Sequence, residues 1–168
     1  MEMVPDMALG EEDAPITVIE YASFTCPHCA TFHETVVPPL KAEYVDTGKV
    51  RFIHREVYFD RFGLWAAMIA RCEAGPERYF AFADMIYTGQ RDWIGDGQPG
   101  TVAENLRKLG LASGIGKDQL ETCLNDSEMA QAMVANFQAQ AEQDGIRATP
   151  TLVIDGESYS NMSFEDLK

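Results

Sequence analysis

Two cysteines separated by a proline and a histidine form the strongest chemical signal in the sequence, Cys26-Pro27-His28-Cys29. Cys26 stands at the predicted start of a helix, where backbone N–H groups and the helix dipole stabilise a thiolate. A protonated His28 would add a positive charge and lower the Cys26 pKa further. Cys29, one turn deeper, is placed to resolve a mixed disulfide formed at Cys26. The spacing therefore predicts thiol–disulfide exchange with an oxidising disulfide, because a stabilised thiolate also stabilises the reduced dithiol.

A zinc site is the alternative interpretation of these cysteines. Nearby residues offer enough ligands in number for a tetrahedral site: Cys26, Cys29 and His33, with His28 or His54. Zinc gives no reason for Pro27 inside the motif or for Pro150 far downstream, and the chain has no second Cys-x-x-Cys pair. We expect no metal and no cofactor, since the cysteine pair itself would be the redox group.

Composition limits the class of protein. The chain has 168 residues, 46% of them hydrophobic, which suits one domain, or one domain with an insert, against a usual size of about 100 to 200 residues. A net charge of -14 repels phosphate backbones and anionic membrane surfaces, so we expect no nucleic-acid partner. No apolar run approaches the roughly 18 residues that a membrane span needs. The start lacks the features of a secretory signal, so either the protein is cytosolic or a signal was removed before this numbering begins.

The elements around the motif predict an α/β fold. Residues 1–15 are acidic and irregular, and the β-branched and aromatic residues of 16–23 then predict a buried strand. A helix is expected over 27–46, interrupted near Pro38-Pro39. Alternation over 49–59 predicts a second strand, and a β-α-β unit implies that the two strands are parallel.

The remainder of the chain is predicted to be helical until its last strands. Apolar periodicity predicts helices at 64–74, 77–87, 102–111, 118–124 and 127–142, with turns at 75–76, 89–100 and 114–116. A strand over 151–155 then turns at Asp155-Gly156 into 157–159, and Ser163 caps a last helix that stops at Lys168, which suggests a trimmed C-terminus. We therefore expect a discontinuous domain of residues 1–60 and 144–168, with residues 61–143 as a helical insertion.

The motif, its β-α-β context and Thr149-Pro150 directly before the returning strand resemble the thioredoxin superfamily, and more narrowly the DsbA family of bacterial thiol:disulfide oxidoreductases. The DsbA dithiol motif is also Cys-Pro-His-Cys. The likeness covers nearly the whole chain, including residues 18–25 before the motif and 148–156 after it. It implies a thioredoxin fold with an inserted all-helical domain.

The resemblance also implies roles for individual residues. Cys26 looks like the exposed nucleophile and Cys29 like its buried partner. Pro150 looks like the cis-proline that packs against the disulfide, and with Thr149 it leaves a backbone edge for an extended substrate. Glu20 resembles the buried acid of such folds, which relays a proton to or from Cys29. The alternative for Glu20 is a solvent-facing position on an edge strand.

Further implications concern partners and the second cysteine pair. The resemblance implies reduced, unfolded client proteins, a membrane reoxidase of the DsbB type, a periplasmic location after removal of a signal, and a monomer. Cys72 and Cys123 could be free thiols on helices. Some alphaproteobacterial DsbA-like proteins carry an additional disulfide, however, and by that similarity we expect a structural Cys72–Cys123 bond.

Three positions depart from the DsbA pattern. His33 and His54 fall where the best-studied DsbA enzymes carry a glutamate and a lysine, so a different set of charges tunes this site. Thr149 before the proline is more typical of disulfide isomerases. The sequence thus predicts a dithiol oxidase and leaves two alternatives open: an isomerase or reductase of the same fold, or a non-catalytic zinc-binding or client-holding module.

Overall fold

One five-stranded mixed sheet organises the chain. The computed structural model describes residues 4–72 and 75–168. The described strands are β1 (Met7–Leu9), β2 (Ile16–Ala22), β3 (Val50–Glu56), β4 (Thr151–Ile154) and β5 (Glu157–Ser160). Their order across the sheet is β1-β3-β2-β4-β5. Strands β2 and β3 are parallel, as the β-α-β prediction requires, whereas the other neighbours pair antiparallel. The strand that leads into the cysteine motif, β2, therefore lies at the centre of the sheet.

Helices fill both chain crossovers. The first crossover holds α1 (Pro27–Thr35), α2 (Val37–Leu40) and a π-helical segment (Lys41–Val45). Between β3 and β4 lie α3 (Arg61–Ala70), α4 (Pro76–Thr88), α5 (Gln90–Ile94), α6 (Pro99–Ala112), α7 (Lys117–Leu124) and α8 (Ser127–Asp144), and α9 (Phe164–Leu167) follows β5. The α/β class with a long helical insertion is confirmed.

The predicted interruption of the first long helix occurs at Val36, just before the two prolines. α1 ends at Thr35, and α2 begins at Val37 with Pro38 in its first turn. Pro38 and Pro39 have no backbone N–H to donate to the preceding turn, so regular α-helical bonding cannot run through them. The π-helical segment continues to Val45, close to the predicted end.

The N-terminal segment contains a strand that the sequence did not reveal. β1 pairs antiparallel with β3, from Met7 opposite His54 to Leu9 opposite Phe52, where residues 1–15 were expected to be irregular. Three residues are too few to show an alternating pattern. The pairing is held by burial of Met7 against the core, a tertiary contact.

Two predictions in the helical block need correction. The stretch 89–100, expected to be a turn, contains the short helix α5, in which Trp93 is buried and donates a hydrogen bond from its indole nitrogen to the Ile86 carbonyl. The helix predicted over 64–74 begins at Arg61 and ends at Ala70, and positions 73–74 lie outside the described residues. The other predicted helices lie within a few residues of the observed bounds.

The main core lies between the sheet and the helices. One large buried cluster contains side chains of β2 and β3, of α1 and of the inserted helices, and a smaller cluster covers Tyr21, Val57 and Val153. A Cys72–Cys123 disulfide joins the end of α3 to α7. No helix in the described parts of the chain has the length and apolar character needed to cross a bilayer.

Candidate functional site

The turn between β2 and α1 places Cys26 at the first residue before the helix. Cys26 N–H donates to the Ser23 carbonyl at 3.1 Å, and the Thr25 hydroxyl donates to the Asp60 carboxylate at 2.9 Å. Asp60 also caps α3, because its other oxygen accepts from the Gly63 N–H at 2.9 Å. The turn is therefore fixed to the first inserted helix as well as to the sheet.

Gln90 in α5 holds the same turn from the other side. Its side-chain amide donates to the carbonyls of Phe24 at 2.9 Å and Cys26 at 3.0 Å, and the residue is buried. The sequence pattern does not indicate this contact, since Gln90 lies in a stretch predicted to be a turn and 64 residues from Cys26. No local pattern signals a bond across that distance.

Cys26 is a partly exposed free cysteine whose thiolate is strongly favoured. A hydrogen bond from Cys29 is the largest effect, and together with the Thr149 side chain and the backbone N–H groups of Cys29 and His28 it outweighs burial and lowers the Cys26 pKa to about 5. The predicted thiolate at the head of the helix is thus supported. His28 contributes through its backbone, and its side chain is exposed beside the exposed Pro27.

Cys29 has the opposite character. Its side chain is buried in α1, and burial, the hydrogen bond to Cys26 and the charge of Glu20 raise its pKa far above the usual value. A free Cys29 therefore holds its proton at physiological pH. The two cysteines therefore differ in exposure and in the protonation state that their surroundings favour.

The Thr149–Pro150 peptide bond is cis, and the residue before the proline contacts Cys26. The Cys26 sulfur is 3.6 Å from the Thr149 carbonyl oxygen, to which a protonated Cys26 donates. Pro150 is buried and Thr149 partly exposed. The motif and Pro150 are far apart in sequence but close in space, because β4, which follows Pro150, pairs antiparallel with β2, which precedes the motif.

Glu20 is fully buried on β2, between β3 and β4. The alternative that it faces solvent on an edge strand is wrong. Its Oε1 lies 2.7 Å from His33 Nε2, on α1. Among described residues Oε2 of Glu20 and Nδ1 of His33 have no hydrogen-bond partner. Both residues are candidates from the sequence, and their contact with each other is seen only in the structure.

His54 lies in a separate hydrogen-bonded group. Its Nδ1 is 2.8 Å from the Tyr79 hydroxyl and its Nε2 is 2.8 Å from the Tyr87 hydroxyl. Burial lowers the His54 pKa to about 3, so the ring is neutral. Tyr79 in turn bonds Glu56, which pairs with Arg71 at 2.9 Å. Both ring nitrogens of His54 therefore hydrogen-bond tyrosines, and neither is directed at the cysteines.

The zinc set expected as an alternative does not assemble. Among the described residues, the potential metal ligands whose donor atoms lie within 4.8 Å of one another are Glu20, His33 and His54. Neither cysteine of the motif belongs to this group. His54 would have to give up a tyrosine to bind an ion. The cysteine pair therefore has no histidine arranged around it as a tetrahedral site requires.

Comparisons with known proteins agree with this geometry. The family model described as Thioredoxin matches residues 2–168. A putative protein-disulfide oxidoreductase of Rickettsia typhi is 32% identical over 162 residues, which are 96% of this chain and 59% of that protein. Disulfide bond formation protein D of Bacillus subtilis is 27% identical over 180 residues, covering 95% of this chain and 72% of that protein. The chain spans between 57% and 61% of the length of its Rickettsia relatives.

Solved structures give the same result. The crystal structure of Wolbachia pipientis alpha-DsbA1 superposes with a TM-score of 0.87 and 30% sequence identity, covering 98% of this chain and 88% of that one. BdbD from Bacillus subtilis, at 23% identity and a TM-score of 0.83, covers 96% and 88% and shares the fold. The expected thioredoxin fold with an inserted helical domain is confirmed. The chain belongs to the thioredoxin family and, within it, to the DsbA-like proteins.

Proposed function

We propose that this chain is a thiol:disulfide oxidoreductase that acts as a dithiol oxidase and donates a Cys26–Cys29 disulfide to reduced exported proteins. The observation that carries the proposal is the opposite behaviour of the two cysteines: a Cys26 thiolate is favoured and Cys29 stays protonated. A stabilised Cys26 thiolate favours the reduced dithiol over the disulfide. The disulfide is then a strong oxidant of other thiols.

The proposed cycle moves one disulfide from enzyme to client. A client thiolate attacks the Cys26 sulfur, the bond to Cys29 breaks, and Cys29 leaves with the electron pair and takes up a proton. A second client thiolate attacks the client sulfur of the mixed disulfide and expels the Cys26 thiolate, a good leaving group because its pKa is low. The client gains a disulfide, and the enzyme ends with two reduced cysteines.

Binding of the client is proposed to use the backbone before Pro150. The cis bond holds the Thr149 carbonyl beside the Cys26 sulfur, where an extended chain can add its own backbone hydrogen bonds. Phe59, with 60% of its surface exposed, precedes the Asp60 that anchors the motif turn. It offers an apolar contact for the exposed hydrophobic residues of an unfolded client.

The location and the reoxidation step are also part of the proposal. The Cys72–Cys123 disulfide suits an oxidising compartment such as a bacterial periplasm. There, a membrane reoxidase of the DsbB type would restore the Cys26–Cys29 disulfide. Neither step needs a bound metal or cofactor on this chain, since the electrons move between sulfur atoms.

The reduction potential of the Cys26–Cys29 pair tests the direction. The protein is equilibrated in glutathione buffers, alkylated and analysed by mass spectrometry, with Cys26→Ser as the control that removes exchange. A potential less negative than roughly -180 mV supports the oxidase, whereas one near roughly -270 mV makes the protein a reductase. Oxidation of a reduced, unfolded client in the absence of other oxidants is the second readout, and a client-holding protein would show neither activity.

A further inference from the structure

A polar groove of about 720 Å³ lies between α1, α4 and α5. Side chains in its wall include Thr31, His33, Glu34, Asp84, Gln90 and Arg91. Most are exposed, but His33 and Gln90 are buried. Nδ1 of His33 has no hydrogen-bond partner among the described residues. A buried polar atom without a protein partner is normally satisfied by an ordered water. Because the His33 side chain lines the groove and Nδ1 has almost no exposed surface, groove water would reach Nδ1 through a small movement of the wall.

The other ring nitrogen of His33, Nε2, bonds a buried carboxylate. His33 Nε2 is 2.7 Å from Glu20 Oε1, and both side chains are almost wholly buried. The charge of Glu20 is close enough to Cys29 to raise the pKa of its thiol. Glu20 and His33 therefore form a hydrogen-bonded pair whose histidine lines the groove and whose carboxylate acts electrostatically on the buried Cys29.

Other titratable groups face His33 without offering the same route. They are His54 on β3 and Asp84 and Tyr87 on α4. Both nitrogens of His54 are bonded to tyrosines, and the Tyr87 ring, stacked on His33 at 4.2 Å, has its hydroxyl on His54. Asp84 is exposed in the groove wall. Of these groups, His33 is the one that both lines the groove and hydrogen-bonds Glu20.

We propose that His33 carries protons between Glu20 and water in this groove, so that Cys29 gains and loses its proton through these two residues. The inference rests on the proposed function. When a client thiolate attacks Cys26, the Cys29 sulfur leaves as an anion. Groove water gives a proton to His33 Nδ1, His33 Nε2 gives its proton to Glu20, and the carboxyl group gives a proton to the sulfur.

The step balances and is reversible. One proton passes from groove water to Cys29, and the hydroxide left in the groove is neutralised by solvent buffer. Glu20 returns to its carboxylate, and the ring changes from its Nε2–H to its Nδ1–H tautomer. Reoxidation of the pair withdraws the proton from Cys29 by the reverse sequence and restores the first tautomer. His33 is thus a positioning residue that acts through Glu20 and does not touch the reacting sulfur.

The test compares single-turnover rates in His33→Gln and the unaltered protein. Glutamine can still donate a hydrogen bond to Glu20 but cannot take up one proton while releasing another. A positioned acid–base group contributes roughly 10²- to 10⁴-fold to a rate, and since Glu20 remains, we expect a loss of about tenfold or more. The probe is reduced glutathione, which is mixed rapidly with the oxidised protein. The reaction is stopped with acid at a series of times, and the fraction of reduced protein is measured. Glu34→Gln, which changes an exposed groove residue of the same helix, is the matched control and is expected to react at the normal rate.

Two further readouts separate proton transfer from support of the fold. A proton carrier changes rates but not equilibria, so His33→Gln should slow reduction and reoxidation by the same factor and leave the Cys26 thiolate midpoint unchanged. In His33→Ala the groove extends toward Glu20, and added imidazole should restore the rate while the similarly sized but weakly basic pyrazole does not. Thermal unfolding of each variant checks that it is folded.

The outcomes are distinct. A normal rate in His33→Gln overturns the inference, and so does a slow His33→Ala that imidazole fails to accelerate. A rate loss accompanied by a shifted Cys26 midpoint also overturns it, because that result indicates a structural effect of His33 on α1. If the unaltered protein does not exchange with glutathione at all, the proposed function itself fails.

Discussion

The hydrogen bond from Cys29 is the largest single cause of the low Cys26 pKa, and its removal gives a direct test of the site. In Cys29→Ala, Cys26 keeps the Thr149 side chain and the helix N–H groups but loses its sulfur donor. We expect the Cys26 pKa to rise, because a thiolate is stabilised by each donor directed at it.

The size of the change follows from the strength of one such bond. A hydrogen bond to a charged group contributes about 1.5–3 kcal/mol, which corresponds to a pKa change of about 1 to 2. From a pKa of about 5 in the unaltered protein, the midpoint should move to roughly 6–7. At neutral pH the thiolate would fall from roughly a hundredfold excess over the thiol to between about a tenfold excess and equal amounts.

Ultraviolet absorbance of the thiolate, recorded against pH on the reduced protein, measures the midpoint. The rate of Cys26 alkylation by iodoacetamide at each pH gives an independent value. Cys26→Ala is the control, and it should show no transition in the acidic range because the Cys29 pKa is strongly raised. Thr149→Val, which removes a weaker donor, should shift the midpoint less than Cys29→Ala does.

Either of two results would refute this reasoning. A midpoint near 9, the usual cysteine value, in the unaltered protein would mean that the helix start and its donors do not stabilise the thiolate. An acidic midpoint that Cys29→Ala leaves in place would assign the stabilisation to the helix and to Thr149 alone.

Three further outcomes concern stability. The folded-state pKa of Cys26 is depressed from 9 to about 5. We therefore expect the stability that the thiolate adds to the reduced protein, relative to the oxidised protein, to be complete above pH 9 and to be lost as pH falls through 5. Denaturant unfolding of both forms as a function of pH measures this difference. The Cys72→Ala/Cys123→Ala double variant removes a disulfide that joins residues 51 positions apart. The free energy of unfolding should fall by about 4 kcal/mol and Tm by roughly 8–16 °C. An unchanged Tm would contradict the loop-entropy argument. A Cβ at Gly110 of α6 would lie 2.9 Å from a methyl carbon of α7 and 3.3 Å from one of α3, so overpacking should cost Gly110→Ala about 1–3 kcal/mol, against a helix-propensity gain of up to about 1 kcal/mol. Gly100→Ala in the same helix, where no described atom comes within 4 Å, should be neutral or stabilising by up to about 1 kcal/mol, and equal effects of the two would show that packing is not the cause.

Local sequence patterns determined the elements that carry the motif. Strand composition before Cys26, helical periodicity after it and the β-α-β order suffice to predict two parallel strands with the cysteines at a helix start. The Asp155-Gly156 turn could be predicted as well, because it needs residues that tolerate positive φ, and the structure has φ of 47° and 91° there. These features depend on neighbours in the chain, so a sequence contains them directly.

Other features of the site were decided by tertiary structure. Gln90 bonds the Cys26 carbonyl from a short helix that no pattern indicated, and β1 forms because β3 offers it an edge and the core buries Met7. The sequence supplied Glu20 and His33 as separate candidates, but their contact exists because α1 packs over the centre of the sheet. Hydrogen bonds between distant residues depend on how the elements pack, and packing is a property of the whole fold, which spacing along one chain does not encode.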